Sequence, residues 1–314
     1  MPGESYAAAL GVVLDATPDL VAIPELPARG VQAGMIGRGV GMLAELGADL
    51  QPAGWRLTGA GSGVDQRRAR SLLSQDLDIV EELMQGFDGL LKIQVAGPWT
   101  LAASVERPRG DRILADHGGR RDLAQSLAEG IREHLASVAG RVPGASLILQ
   151  IDEPMLPAVL AAQIPTASGW GRHRSIDKPD ADVALRLMVD AGHSAGARSV
   201  LHTCARDVPV ELIAGAGFGA LSFDLSLATA GDVWAEAFDG GLDLWPGAIP
   251  SLDAQDINDR VVGKSIEGFF SALGFAIEAF ADRSVVTPTC GLAGASPTWA
   301  KQALGLARTV GGQR

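Results

Sequence analysis

Cysteine is scarce in this sequence. Only two of the 314 residues are cysteines, Cys204 and Cys290. A secreted protein stabilised by disulfides needs a larger set, so that class is excluded. Each cysteine taken alone is most simply a small buried side chain, and a metal ligand is the alternative.

Basic residues and long apolar runs are also scarce. Lys and Arg total 26 against 37 Asp and Glu, and the net charge is −11. We expect no nucleic-acid partner, because such proteins usually carry a basic face. No apolar run approaches the roughly 18 residues of a membrane span, and no signal-peptide pattern opens the chain. We therefore expect a cytoplasmic protein with no membrane partner.

The chain instead repeats a short apolar run, a loop and a helical segment. Strands are predicted at Leu20–Leu26, Leu91–Ala96, Ser146–Asp152, Ser199–His202, Ala220–Leu225, Leu242–Ile249 and Ser284–Thr289. Helices are predicted at Ser5–Ala16, Val64–Phe87, Arg121–Val142, Asp180–Ala191, Ala230–Asp239, Asp256–Phe280 and Pro297–Val310. Strands alternating with helices indicate a parallel sheet with right-handed crossovers.

This pattern predicts an α/β fold of the (β/α)8 TIM-barrel type, with residues 1–314 as a single domain. A closed barrel needs eight strands and seven are visible, so we expect the first strand to be abbreviated or to lie upstream of Met1. An open doubly wound sheet is the alternative. No Gly-rich dinucleotide fingerprint follows any strand to support it.

Reactive side chains fall at the ends of five predicted strands, where barrels carry their functional groups. They are Glu25, Asp152, Glu153, His202, Cys204, Asp224 and Cys290. Alternate strand residues share a face, so His202 and Cys204 point to the same side, and zinc favours such ligands. The structural alternatives are a hydrogen-bonded His202 and a loop or helix cap at Asp152-Glu153-Pro154.

Other conspicuous residues have simpler interpretations. We expect solvated positions for the remaining histidines, which are His117, His134, His173 and His193. We expect the arginine run at 67–70 to lie on a solvated helix face. Trp99, Trp170 and Trp245 either pack in the fold or provide the floor for a planar ligand.

Four motifs in this order resemble one family. They are IQVAGPWTL at Ile93–Leu101, LQIDEP at Leu149–Pro154, LHTC at Leu201–Cys204 and PTCGL at Pro288–Leu292. From about Pro24 to Leu304 the chain resembles the C-terminal catalytic barrel of cobalamin-independent methionine synthase. The resemblance implies a zinc-dependent thiol methyltransferase that makes methionine from homocysteine.

The resemblance also implies roles for individual residues. Zinc would be held by His202, Cys204, Cys290 and Asp224, with Asp224 standing where the family has a glutamate. Asp152 is the predicted catalytic carboxylate, and it would bind the homocysteine amine together with Glu25. The zinc ion would hold the homocysteine sulfur as a thiolate.

Two departures from the family leave the methyl donor open. The chain has room for one barrel rather than two, and the loop Gly247–Asp253 lacks the histidine that the family places there. The donor is therefore expected to be methyltetrahydrofolate or a corrinoid protein. The alternatives are a uroporphyrinogen decarboxylase-like barrel with other chemistry, and a non-catalytic protein that binds zinc or a thiol.

Overall fold

Seven parallel strands form one curled sheet in the computed structural model, which describes residues 1–59 and 61–312. The strands of the chain are β1 (Leu20–Ala22), β2 (Ala48–Gln51), β3 (Gly54–Leu57), β4 (Leu90–Ala96), β5 (Ser146–Asp152), β6 (Arg198–Thr203), β7 (Ala220–Asp224), β8 (Asp243–Ile249) and β9 (Thr287–Pro288). The order in the sheet is β1-β4-β5-β6-β7-β8-β9, and β2 and β3 form a separate antiparallel hairpin.

Helices flank this sheet along the chain. They are α1 (Tyr6–Ala16), α2 (Met35–Met42), α3 (Val64–Leu83), α4 (Pro98–Ser104), α5 (His117–Arg141), α6 (Leu156–Leu160), α7 (Lys178–Ser194), α8 (Val210–Ala216), α9 (Asp232–Asp239), α10 (Asp259–Ala272) and α11 (Pro297–Gly312). Short 3-10 helices occupy Pro27–Arg29, Val31–Ala33, Ile113–Ala115, Ile277–Phe280 and Leu292–Gly294. No helix in the described part of the chain is long and apolar enough to cross a membrane.

The sheet is a half-barrel rather than a closed eight-stranded barrel. Across residues 1–59 and 61–312, no strand joins the edge strands β1 and β9. The chain enters the fold with α1, whose N-terminus is capped by the side chain of Ser5. The predicted TIM-like α/β fold is confirmed, with seven parallel strands in the described residues in place of a closed eight-stranded barrel.

Two expected strands are much shorter than predicted, and for the first of them the cause is proline, which limits strand pairing. The first strand ends at Ala22, before Pro24, and β9 pairs only over Thr287–Pro288. One expected helix is divided. The segment 256–280 forms α10 and then the 3-10 helix Ile277–Phe280, because Gly274 adopts a positive φ of 84° between them.

Each strand presents one side to the helices and the other to the barrel interior. Outward residues such as Leu91, Leu149 and Leu201 belong to the main core beneath the helices. The inward side carries a small apolar cluster near the amino ends of the strands, made of Ile148, Val200, Ala220 and Trp245. Polar inward residues follow further along β4 to β7, so the polar part of the interior faces the carboxyl ends.

Candidate metal and thiol site

Strand register brings three polar side chains into one row at the carboxyl ends of β5, β6 and β7. Asp152 pairs with His202, and His202 pairs with Ser222. Paired residues of a parallel sheet point to the same side, so all three face the interior. His202 Nδ1 lies 3.0 Å from Ser222 Oγ, so a metal ion would bind the other ring nitrogen, Nε2.

The two cysteines meet beside His202. Cys204 follows the end of β6, Cys290 lies two residues beyond β9, and their sulfur atoms are 3.1 Å apart. One ligand atom from each of His202, Cys204 and Cys290 lies within 4.8 Å of the others. Cys204 is half-buried and Cys290 is exposed, so neither sulfur is enclosed in the apolar core. The structure thus brings three of the four predicted ligands together.

The hydrogen bonds of this group favour one thiolate. The Cys204 thiol and His202 both donate toward the Cys290 sulfur, and they lower the pKa of Cys290 to about 4. The same contact raises the pKa of Cys204, which keeps the shared proton, and partial burial adds to that rise. A thiolate is the form of cysteine that binds metals, so this electrostatic arrangement suits a cation.

Asp224, the fourth predicted ligand, lies at the carboxyl end of β7 but outside the three-residue group. Its Oδ1 accepts hydrogen bonds from the backbone nitrogen of Ser226 at 2.9 Å and from the Ser226 hydroxyl at 2.7 Å. A ligand role for Asp224 stays a prediction.

The donor set suits zinc. One imidazole and two thiols are ligands that zinc prefers, and a site with three protein ligands keeps a fourth position open for a substrate or water. Oxygen-seeking cations such as Mg²⁺ and Ca²⁺ would disfavour two sulfur donors. The residues at His202, Cys204 and Cys290 therefore fit the metal that the resemblance implies.

Asp152 lies in the interior beside this group and is only 8% exposed. Burial raises its pKa to about 6, although the neighbouring His202 opposes the rise. Its Oδ1 accepts a hydrogen bond of 2.7 Å from Gln150 Nε2, and the Gln150 oxygen accepts one of 2.7 Å from Lys92 Nζ. Asp152 is thus the end of an interior hydrogen-bonded chain.

Glu25, the second carboxylate predicted to bind an amine, follows β1 at the same end of the sheet. It forms an ion pair with Arg38 at 3.2 Å, and the charges of Glu25 and Asp152 both act on Lys92. Arg38 is buried and also lies 3.7 Å from Asp76. The charge of Glu25 also raises the pKa of Asp152, so the two carboxylates are close enough to interact.

Glu153, the neighbour of Asp152, caps a helix. Its carboxylate accepts bonds from the backbone nitrogens of Trp99 and Thr100, both at 2.8 Å, and from the Thr100 hydroxyl at 2.7 Å. Burial raises its pKa to about 7, and these donors oppose the rise. A side chain at Gly97 would come within 2.3 Å of Glu153, which explains the glycine before Pro98. Glu153 therefore has the helix-capping role that the sequence offered as an alternative.

Two histidines depart from the expectation of solvated positions. His173 is buried and lies 3.2 Å from Asp111, and His134 is half-buried with a lowered pKa. His117 and His193 are exposed as expected. A sequence gives no direct sign of which polar loop or helix face another segment will cover.

The structure also shows where the three tryptophans and the arginine run singled out in the sequence lie. Trp99 and Trp245 are buried, whereas Trp170 is 96% exposed at a loop after α6. The arginines at 67, 68 and 70 lie on the exposed face of α3, as predicted.

Lys92, Gln150 and Ser222 are site residues that sequence reasoning missed. Each interrupts an apolar run of a parallel strand with a polar side chain at an inward position. That interruption is a usable signal, since a strand buried on both faces rarely carries an unpaired polar group.

Comparisons with solved structures agree with this architecture. The chain is similar to a B12-independent methionine synthase from Shewanella sp. W3-18-1 in complex with selenomethionine, with 13% identity, a TM-score of 0.63, and coverage of 98% of this chain and 87% of that one. It is also similar to a methyltransferase from Methanosarcina mazei, with 16% identity, a TM-score of 0.56, and coverage of 97% and 84%. At these identities the likeness shows a related fold.

Comparisons at the level of sequence add nothing to this. No protein-family model and no curated protein matches the chain.

Proposed function

We propose that this protein is a zinc-dependent thiol methyltransferase that converts homocysteine to methionine. The observation that carries the proposal is the meeting of His202, Cys204 and Cys290 at the carboxyl ends of the strands, with the sulfur atoms 3.1 Å apart. These residues would hold the zinc ion, and Asp224 is the proposed fourth ligand. The named activities of the two similar structures support methyl transfer.

The chain's own residues would bind and orient the acceptor. Bound zinc supplies a positive charge that lowers the pKa of an incoming thiol and holds it as the thiolate near neutral pH. Asp152 and Glu25 would hold the ammonium group of homocysteine, and Ser222 would keep the His202 ring in place. A bond forms between sulfur and the methyl carbon, the bond from methyl to donor breaks with its electrons staying on the donor, and the thiol proton leaves to solvent.

The methyl donor is methyltetrahydrofolate or a corrinoid protein in this proposal. No histidine lies between Gly247 and Asp253, at the end of β8 and in the loop after it, to deliver a proton to a folate leaving group. We further propose a single domain over residues 1–314 and a cytoplasmic location, with neither nucleic acid nor membrane as partner.

Two alternatives remain distinct from this proposal. A uroporphyrinogen decarboxylase-like barrel needs no zinc, so the two cysteines beside His202 argue against it. A non-catalytic protein would keep the metal or thiol site and transfer no methyl group. The three hypotheses are distinguished by measuring zinc content and methionine formation on the same preparation.

The test is an assay of methionine formation from homocysteine with methyltetrahydrofolate and with methylcobalamin in parallel. Cys204→Ala and Cys290→Ala are expected to abolish turnover, while His193→Gln, which changes an exposed histidine on α7, is expected to leave it intact. Wild-type activity in either cysteine variant would rule out the metal mechanism. Zinc bound with no turnover from either donor would favour the non-catalytic reading.

A further inference from the structure

A chain of three interior side chains ends on Asp152. Lys92, on β4, donates from its ammonium nitrogen to the side-chain oxygen of Gln150 at 2.7 Å. Gln150 donates from its amide nitrogen to Asp152 Oδ1, also at 2.7 Å. Gln150 and Asp152 are two residues apart on β5, so both face the interior. The chain runs from the middle of the sheet up to the carboxylate beside His202.

The chemistry of Lys92 fixes the direction of every bond in this chain. An ammonium group only donates, so Gln150 must present its oxygen to Lys92. The amide nitrogen of Gln150 is then the atom that faces Asp152, and Asp152 must accept. An accepting carboxylate is the form that binds a ligand's ammonium group.

Burial keeps the chain rigid. Gln150 is 7% exposed and Asp152 is 8% exposed, so a broken bond here would leave a polar group without water. Burial lowers the pKa of Lys92, while the charges of Asp152 and Glu25 raise it. The Lys92 ammonium in turn compensates these two carboxylates in the interior.

We propose that Lys92 and Gln150 are positioning residues that hold the Asp152 carboxylate in a fixed orientation, and that they thereby select acceptors with an amino group beside the thiol-bearing chain. The proposal rests on the proposed function, because it takes Asp152 as the group that binds the acceptor's amine. Lys92 and Gln150 would thus help to determine the class of substrate from beneath the site, without touching the substrate.

The experiment compares two ligands of the zinc-loaded protein by calorimetry. L-methionine carries the amine, and 4-(methylthio)butanoate has the same thioether and carboxylate without it. The wild type is expected to prefer methionine. Gln150→Met is expected to reduce that preference about tenfold, the effect of losing one hydrogen bond to a charged group. Asp152→Asn is expected to reduce the preference similarly, and the double variant no further, because Gln150 acts on the amine only through the Asp152 carboxylate.

Lys92→Met is a second variant of the same chain, because it removes the ammonium group that orients the side-chain amide of Gln150. It replaces Gln150→Met in this experiment if Gln150→Met does not fold. Gln75→Leu, which changes an exposed glutamine on α3, is the control and is expected to keep the wild-type preference. The inference would be overturned, and the proposed function left standing, by either of two results. One is an equal loss of affinity for both ligands, and the other is an unchanged preference in Gln150→Met and Lys92→Met. A wild type that binds neither ligand would overturn the proposed amine site as well.

Discussion

The sulfur atoms of Cys204 and Cys290 lie 3.1 Å apart, although 86 positions separate the two residues in the sequence. They meet because the carboxyl ends of β6 and β9 lie at the same end of the half-barrel, and each cysteine follows its strand by one or two residues. Thiols placed this close beside an imidazole form a ready set of metal ligands.

Removing one sulfur should remove the metal. Cys290→Ser is expected to lower zinc content from about one ion per chain to near zero, because the site loses one of its two sulfur ligands. Metal analysis by mass spectrometry, with His193→Gln purified alongside, checks this. Wild-type zinc content in Cys290→Ser would show that the ion binds elsewhere.

Ser222 should tune the affinity for zinc through His202. Ser222→Ala removes the hydroxyl 3.0 Å from His202 Nδ1, and loss of such a partner typically weakens metal binding by about 10–100-fold. Competition with a chromogenic chelator measures this change. Ser226→Ala, which alters a hydroxyl bonded to Asp224, is the companion variant, and it should weaken zinc only if Asp224 is a ligand.

The adjacent carboxylates Asp152 and Glu153 should behave differently on substitution. Glu153→Ala leaves three buried donors at Trp99 and Thr100 without an acceptor, so we expect the free energy of unfolding to fall by about 3 kcal/mol or more. Asp152→Asn can still accept from Gln150, and its stability should stay within about 1 kcal/mol of the wild type while the KM for homocysteine rises. Urea unfolding and steady-state kinetics measure the two effects, and the reverse pattern would exchange the assigned roles.

His134 should make the protein less stable in acid. Burial, with Arg38 and Arg141 nearby, lowers its pKa from 6.5 to about 4. Between these values the unfolded chain binds the extra proton, so the free energy of unfolding decreases as the pH falls through this window. The full shift corresponds to about 3 kcal/mol.

The difference in stability between wild type and His134→Gln isolates this effect, because other groups titrate equally in both proteins. Urea unfolding at several pH values should give a difference that changes between pH 6.5 and pH 4. A constant difference would contradict the assignment to His134.

The sequence alone could predict much of the sheet, for physical reasons. The runs that became β4, β5 and β7 are mostly apolar because helices cover one side of each strand and the barrel interior buries the other. Reactive groups at the carboxyl ends of β6 and β9 stand out against such apolar runs, which is why His202 and the two cysteines could be identified.

Other features depend on pairings between distant segments, and local patterns do not encode them. The chain from Lys92 through Gln150 requires the register of β4 with β5. The hairpin of β2 and β3 was missed because its strands are only four residues long, and the turn between them at Pro52-Ala53 is followed by Gly54, which has a positive φ of 127°. Capping by Glu153 likewise depends on the approach of α4 to the end of β5.

The most direct test is zinc-edge X-ray absorption of the zinc-loaded protein with and without homocysteine. We expect one nitrogen and two sulfur ligands from His202, Cys204 and Cys290 before addition, and one additional sulfur in the first coordination shell afterwards. A first shell that homocysteine leaves unchanged would contradict thiol activation at this site.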